Sequence, residues 1–328
     1  MGDKPLVYVA LRLPDDARTR IESACRVREY AGPGQVPKPE LIAALADADG
    51  LVGSAQLPVD AETIASAPRL RVISNVGVGF DNVDVAAATE LGVVVCNTPG
   101  VLTDAVADLT LGLIVSLARR LPESERFARE GRWGPGRTLA LGTDLAGKTL
   151  GVVGLGRIGR AVAARARAFG MNVCFFDRFR EPPPDAAFCT YRDLDDLLRE
   201  ADVVSLHVDL REETRGLIGA RELALMKASA FLVNTSRGQV VDQHALVSAL
   251  RDERLAGAAL DVFEREPLPP DDPLLALANV IVLPHVGSAT VETRWAMREL
   301  AIDNLLAVLR GDEPPCPVNP EAMRVGGA

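Results

Sequence analysis

The hexapeptide Gly154-Leu155-Gly156-Arg157-Ile158-Gly159 constrains this chain more than any other segment. Glycines in that spacing occur often by chance, but their surroundings here are restrictive. An apolar run at 149–153 leads into them, the run at 157–169 has a helical pattern, and an apolar stretch at 172–177 closes on Asp177. Strand, tight turn, helix, strand and acid make one βαβ unit of the kind that holds a dinucleotide. Gly154 permits the turn, Gly156 lets the backbone approach a pyrophosphate, and Gly159 lets helix and sheet pack closely. Arg157 and Ile158 begin a helix whose unpaired N–H groups face the phosphates. Asp177 is placed to accept hydrogen bonds from the adenosine ribose hydroxyls, which favours NAD. Arg178 and Arg180 follow it and are able to pair with a 2′-phosphate, so NADP is the alternative.

The same alternation runs through most of the 328 residues. Short β-branched runs at 6–10, 50–53, 70–76 and 92–96 read as buried strands, with helical stretches such as 59–67 and 84–91 beside them. The rhythm restarts at 149, with strands at 202–207, 230–235, 257–262 and 279–284 and helices near 219–228 and 242–253. This pattern predicts an α/β protein with parallel sheets covered on both faces. The length predicts two domains. A long apolar helix is expected at 103–121, capped by Thr103 or Asp104 and ended by Pro122. The stretch 129–147, rich in glycine and holding Trp133 and Pro135, reads as an irregular arm, and 290–310 as a final amphipathic helix.

Several function classes are disfavoured. A formal net charge of −9 repels phosphate backbones, so nucleic acid is not an expected partner. The longest apolar run, near 109–118, falls short of the ~20 residues that span a bilayer. The first residues lack a signal-peptide pattern. Five scattered cysteines without a CxxC pair read as reduced thiols, neither disulfides nor metal ligands. A cytoplasmic protein with no metal and no membrane partner is the expectation.

Only three histidines are present. His244 follows Asp242 at the start of a polar helix and reads as solvated. His207 ends a strand and reads as structural. His285 ends the strand at 279–284 and enters a Gly/Ser turn, and in an α/β sheet ligands sit at the carboxyl ends of strands. It is therefore the best candidate for the proton donor that reduction of a carbonyl requires. Arg237 follows the strand at 230–235, where a guanidinium can hold a carboxylate bidentately. Asp261 and Glu266 follow the next strand, and a carboxylate beside His285 would hold the ring and favour its charged form.

With these residues in place, the chain resembles the D-specific 2-hydroxyacid dehydrogenase family. The motifs are NVGVGFDNVD (75–84), NTPGVLTDAVAD (97–108), GVVGLGRIGRAVA (151–163), VNTSRGQVVD (233–242), AALDVFEREP (258–267) and LPHVGSAT (283–290). Within the family the glyoxylate/hydroxypyruvate reductases are most similar, with related 2-ketogluconate reductases. The resemblance implies two doubly wound parallel-sheet domains. A Rossmann nucleotide domain, 100–287, would be inserted into a flavodoxin-like substrate domain made of 1–99 and 288–328. It implies NAD(P)H-dependent reduction of a small 2-oxo acid to the D-2-hydroxy acid. Arg237, Glu266 and His285 would be catalytic, with Arg237 on the carboxylate and carbonyl, His285 as acid and Glu266 orienting it. Amides of Val78 and Gly79 would grip the carboxylate, with Arg237 and His285 completing the substrate site. Gly154, Gly156, Arg157, Ile158, Gly159, Asp177 and Arg178 would contact the cofactor, as would Thr103, Thr235, Ser236 and Gly287, and Asp261 would fix the nicotinamide amide. The arm would help to build a homodimer.

Departures from the family point elsewhere in places. The Asp177–Arg178 pair looks like that of NAD-specific formate dehydrogenases, although Glu266 stands where those enzymes carry Gln. Gly53 replaces a basic residue of the phosphoglycerate dehydrogenases. The arm reads Leu139-Ala140-Leu141 where animal glyoxylate reductases place a tryptophan. The alternatives are therefore another substrate of the family (2-ketogluconate, 3-phosphoglycerate or phosphite) or a non-catalytic NAD(H)-sensing regulator on the same scaffold.

Overall fold

The computed structural model describes residues 4–325, which divide into two compact units, 4–102 with 290–325, and Thr103–Ala289. The first is built on a five-stranded parallel sheet of β1 (Leu6–Val9), β2 (Arg26–Glu29), β3 (Gly50–Ser54), β4 (Val72–Val76) and β5 (Val94–Cys96), in the order β2-β1-β3-β4-β5. That order is flavodoxin-like. Both faces of its central strands are covered, so nearly every side chain of LVYV, GLVGS and VISNV is buried. The long helix Val291–Arg310 returns to this sheet. Its last carbonyls, of Val308 and Leu309, accept hydrogen bonds from the Arg71 guanidinium at 3.0 Å each.

The second unit carries seven parallel strands: β6 (Thr149–Val153), β7 (Asn172–Phe176), β8 (Thr190–Tyr191), β9 (Val203–Leu206), β10 (Phe231–Asn234), β11 (Gly257–Leu260) and β12 (Val280–Val282). Their order is β12-β11-β10-β9-β6-β7-β8. The chain winds outward in one direction from β6 and in the other from β9. This is the Rossmann order, and the reversal between β6 and β9 opens a crevice at their carboxyl ends. The chain is thus an α/β protein with two doubly wound parallel sheets.

Two of the differences from the sequence reading are instructive. Strand β2 was not expected, because RVRE alternates charges on a half-exposed edge and has no apolar run. The helix expected over 103–121 stops at Ala118, and Arg120 adopts a left-handed conformation with φ 51°. Pro122 then lies in the first turn of a second helix, Leu121–Arg129, where its missing N–H costs nothing. Pro122 therefore starts a helix where it was expected to end one, and the irregular arm begins after residue 129. Among the described residues no helix is long and apolar enough to cross a membrane. Cys25, Cys96, Cys174 and Cys189 are buried thiols, and burial pushes Cys96 and Cys174 up to about 12.

Candidate active site

The Rossmann crevice is shaped by its glycines. Gly154 leaves β6 with φ +97°, and a Cβ there would lie 2.8 Å from the His207 carbonyl carbon, at the end of the neighbouring β9. A Cβ on Gly159 would lie 2.0 Å from the Gly154 oxygen, so the helix can approach the turn only without a side chain. Around Gly156 nothing stands within 4 Å of that position, which leaves the open space a pyrophosphate needs. Gly156 also begins the Arg157–Ala168 helix with no side-chain cap, so its first N–H groups are left for an anion. A cavity of about 750 Å³ extends from this point past Asp177, Arg178 and His207. Asp177 Oδ2 accepts from Leu155 N at 2.7 Å and Oδ1 from Phe179 N at 3.2 Å, which locks the carboxylate at the rim. Arg178 stacks on Phe179 beside it, whereas Arg180 is turned to Tyr191 and Asp193. The donors, the acid and the volume fit a dinucleotide.

His207 accounts for itself without catalysis. Its Nε2 lies 2.8 Å from Ser205 Oγ, and burial pushes it down to about 3, so it stays neutral at physiological pH. His244 is exposed on the helix Gln243–Arg251.

The turns after β10, β11 and β12 bring the expected trio into one region. After β10, buried Asn234 folds the chain back: its Nδ2 donates to the Arg237 carbonyl at 2.8 Å, and its Oδ1 accepts from Ser236 N and Oγ at 3.0 and 2.9 Å. Arg237 Nη1 donates to the Ser236 carbonyl at 2.9 Å. Thr235 Oγ1 meets Thr110 Oγ1 at 2.9 Å. Gly238 lies against the next turn so closely that a Cβ would fall 1.8 Å from the Phe263 carbonyl carbon. That contact sets Arg237 beside the 263–266 turn. There Glu266 Oε1 accepts from Phe263 N at 3.0 Å and Oε2 lies 2.6 Å from His285 Nδ1. An ionised carboxylate only accepts, so Nδ1 carries the proton of this contact.

His285 has φ +54°, a left-handed conformation uncommon outside glycine. Asp261 stabilises the turn that imposes it. Its two oxygens accept from Val286 N and Gly287 N at 2.7 Å each. Burial pushes Asp261 upward, and the two amides oppose that shift. Each oxygen keeps a lone pair, so a further donor is compatible with this clamp. A Cβ on Gly287 would lie 3.1 Å from Asp261 Oδ2 and 3.5 Å from Val106, on the helix that Thr103 opens. Asn234, the device that folds Arg237 into place, was missed in the sequence. Its signal was a polar residue ending the apolar strand FLVN.

Val78 and Gly79 belong to the first unit, in the loop after β4. Their carbonyls accept from Asn97 Nδ2 at 2.7 Å and Asn75 Nδ2 at 2.9 Å. Among the described residues neither of their N–H groups donates to the protein.

Comparisons with known proteins agree with this geometry. Residues 111–287 match the family described as D-isomer specific 2-hydroxyacid dehydrogenase, NAD binding domain. A glyoxylate reductase of Korarchaeum cryptofilum is 46% identical over 325 residues, 98% of each chain. A crystal structure of a Thermus thermophilus protein aligns with TM-score 0.88 and 48% identity over 95% of this chain and 99% of that one. The NADPH-dependent glyoxylate/hydroxypyruvate reductase of Sinorhizobium meliloti, solved with NADP and malonate, aligns with TM-score 0.88 and 35% identity over 98% of both. A nucleotide crevice, a His–Glu pair beside an arginine and a match over nearly the whole length lead to one conclusion: the chain belongs to the D-isomer specific 2-hydroxyacid dehydrogenase family and is an NAD(P)-dependent oxidoreductase.

Proposed function

We propose that the protein reduces a small 2-oxo acid of the glyoxylate or hydroxypyruvate type to the D-2-hydroxy acid, with NADH as the preferred cofactor. The observation that carries this reading is the His285–Glu266 pair at 2.6 Å, held on the turns after β11 and β12 next to the turn after β10 that carries Arg237. The bound cofactor supplies a hydride to C2 of the substrate. Arg237 holds the carboxylate and polarises the carbonyl through its planar donors. His285 gives its Nε2 proton to the carbonyl oxygen, and Glu266 stabilises the charged ring before transfer and fixes its plane. Within the first unit, Val78 and Gly79 offer amides suited to a carboxylate. Arg157 and Ile158 hold the pyrophosphate at the helix start, while Thr103, Thr235, Ser236, Asp261 and Gly287 border the nicotinamide end.

Asp177 supports NADH: a carboxylate fixed by two amides accepts from ribose hydroxyls and repels a 2′-phosphate. Arg178 favours NADP, since it lines the same cavity. Trp133 and Leu141 of the arm are 83% and 93% exposed, which supports a homodimer formed through that segment. Buried reduced thiols suit the cytoplasm.

Absorbance at 340 nm, with purified protein, glyoxylate or hydroxypyruvate and NADH or NADPH in separate cuvettes, tests the proposal. Oxidation is expected with both acids and faster with NADH. Silence with these acids and with 2-ketogluconate, while NADH still binds, would favour a cofactor-sensing role.

A further inference from the structure

Three consecutive carbonyls after β4 are tied down from within the first unit. Thr98 N donates to Gly77 O at 2.9 Å, Asn97 Nδ2 to Val78 O at 2.7 Å, and Asn75 Nδ2 to Gly79 O at 2.9 Å. In a planar trans peptide the N–H points away from its own C=O. Pinning these carbonyls therefore turns the N–H groups of Val78, Gly79 and Phe80 away from the donors that hold the loop. Among the described residues none of the three donates to a protein group. Val78 and Gly79 are half-buried and Phe80 is exposed, so the amides lie where a ligand can reach them.

The pinning side chains are themselves held. Asn75 is 1% exposed and also donates to Asn82 Oδ1 at 2.9 Å. Asn82 Nδ2 in turn donates to Leu57 O at 2.7 Å. The Asn97 carbonyl accepts from Asn304 Nδ2 at 2.9 Å, and Asn304 Oδ1 accepts from Cys316 N at 2.9 Å. Asn304 is fully buried in the helix Val291–Arg310, an environment that penalises an amide unless its polar atoms find partners. A continuous chain of hydrogen bonds thus runs from the C-terminal segment through Asn304 and Asn97 to the Val78 carbonyl.

We propose that Asn75, Asn97 and Asn304 are positioning residues for substrate recognition. By holding the carbonyls they shape the amides of Val78, Gly79 and Phe80 into a three-donor receptor for the substrate carboxylate, and Asn304 makes the C-terminal helix part of that receptor. Successive backbone N–H groups left outward are a known way of binding anions. This inference rests on the carboxylate reading of Val78 and Gly79, and adds Phe80 and the side chains behind the loop.

Oxalate, a dicarboxylate that mimics a 2-oxo acid and accepts no hydride, is the probe, with the NADH-bound wild-type enzyme as reference. Amide hydrogen exchange of the peptide spanning 77–81 is expected to slow when oxalate binds. Bound oxalate without protection there would remove the carboxylate reading itself. Asn97→Asp keeps the volume and deletes the donor to Val78 O. It should weaken oxalate and raise KM for the 2-oxo acid by about 10- to 100-fold, the cost of losing a buried hydrogen bond next to the ligand. The fall in kcat should be smaller and the Kd for NADH should stay near wild type. Asn304→Asp retains the acceptor for Cys316 and loses the donor to Asn97, so it should shift oxalate binding the same way but less. Wild-type oxalate affinity in a folded Asn97→Asp protein, with protection of 77–81 intact in the wild type, overturns the inference and leaves the carboxylate reading standing. Equal losses of NADH affinity, kcat and oxalate affinity would also overturn it, as general damage to the fold. If Asn97→Asp does not fold, Asn304→Asp decides: unchanged oxalate binding and KM in that variant count against the proposal.

Discussion

The proposed roles divide the work between binding and proton transfer among individual side chains, and kinetics can separate the two. His285→Ala should lower kcat by about 10²- to 10⁴-fold, the usual worth of a positioned acid. The Kd for NADH should hardly move, since the ring is held by Glu266 and not by the nucleotide crevice. Stopped-flow binding and steady-state assays check both, and an undiminished kcat would remove His285 as the acid. Arg237→Ala should instead raise KM for the 2-oxo acid by about 10- to 100-fold and lower kcat as well, because a charge-assisted contact to both ends of the substrate is lost. Asp177 is the proposed determinant of cofactor preference. Asp177→Ala should cut kcat/KM for NADH more than for NADPH, and equal losses would mean that the carboxylate does not read the ribose.

Among the elements, the site depends on turns pressed against one another. Gly238 is the clearest case, since any side chain there would occupy the Phe263–Glu264 peptide. Gly238→Ala should destabilise the protein by about 1–3 kcal/mol, the range for overpacking a filled site, and should lower kcat through the shifted Glu266. Urea unfolding together with activity of the folded fraction tests this, and a wild-type midpoint would mean that the two turns are free to part. Strand β9 makes a different prediction. His207 has an ordinary value of 6.5, and burial takes it to about 3 in the fold. Between these values the unfolded chain binds a proton that the native ring refuses, so stability declines as pH falls from about 6.5 towards 3 and is unaffected by this group above that window. His207→Asn should flatten that decline in thermal melts recorded across the window. Parallel wild-type and variant curves would show that His207 is not its source.

For the molecule as a whole, two sheets of known winding order account for where chemistry can occur. The Rossmann reversal between β6 and β9 places the glycine turn, and the outer strands β10, β11 and β12 carry the trio in spatial as well as sequence order. The first unit is completed by the end of the chain. Asn319 Oδ1 accepts from Val95 N at 2.7 Å and Asn319 Nδ2 donates to Val93 O at 3.0 Å, which closes the edge of β5. Assembly is read from the arm. The proposed homodimer should sediment at twice the chain mass, and the double substitution Trp133→Asp with Leu141→Asp should shift it toward monomer. A wild-type monomer at micromolar concentration would contradict the proposal.

The features legible from the residues alone are those whose demands are local. The glycine turn, Asp177 and the buried apolar strands can be read because backbone geometry and burial on both faces restrict which residues fit within a few positions. The trio was legible as three polar residues after three apolar strands, each of bland meaning alone. It took the folded chain to show that Gly238 brings two of those turns into contact, that Asp261 clamps the turn of His285, and that Arg120 breaks a helix expected to continue. The asparagine network was invisible for the same reason. Asn75, Asn97 and Asn304 lie far apart along the chain, and no periodicity records which carbonyl a buried amide will find once the sheet has closed around it.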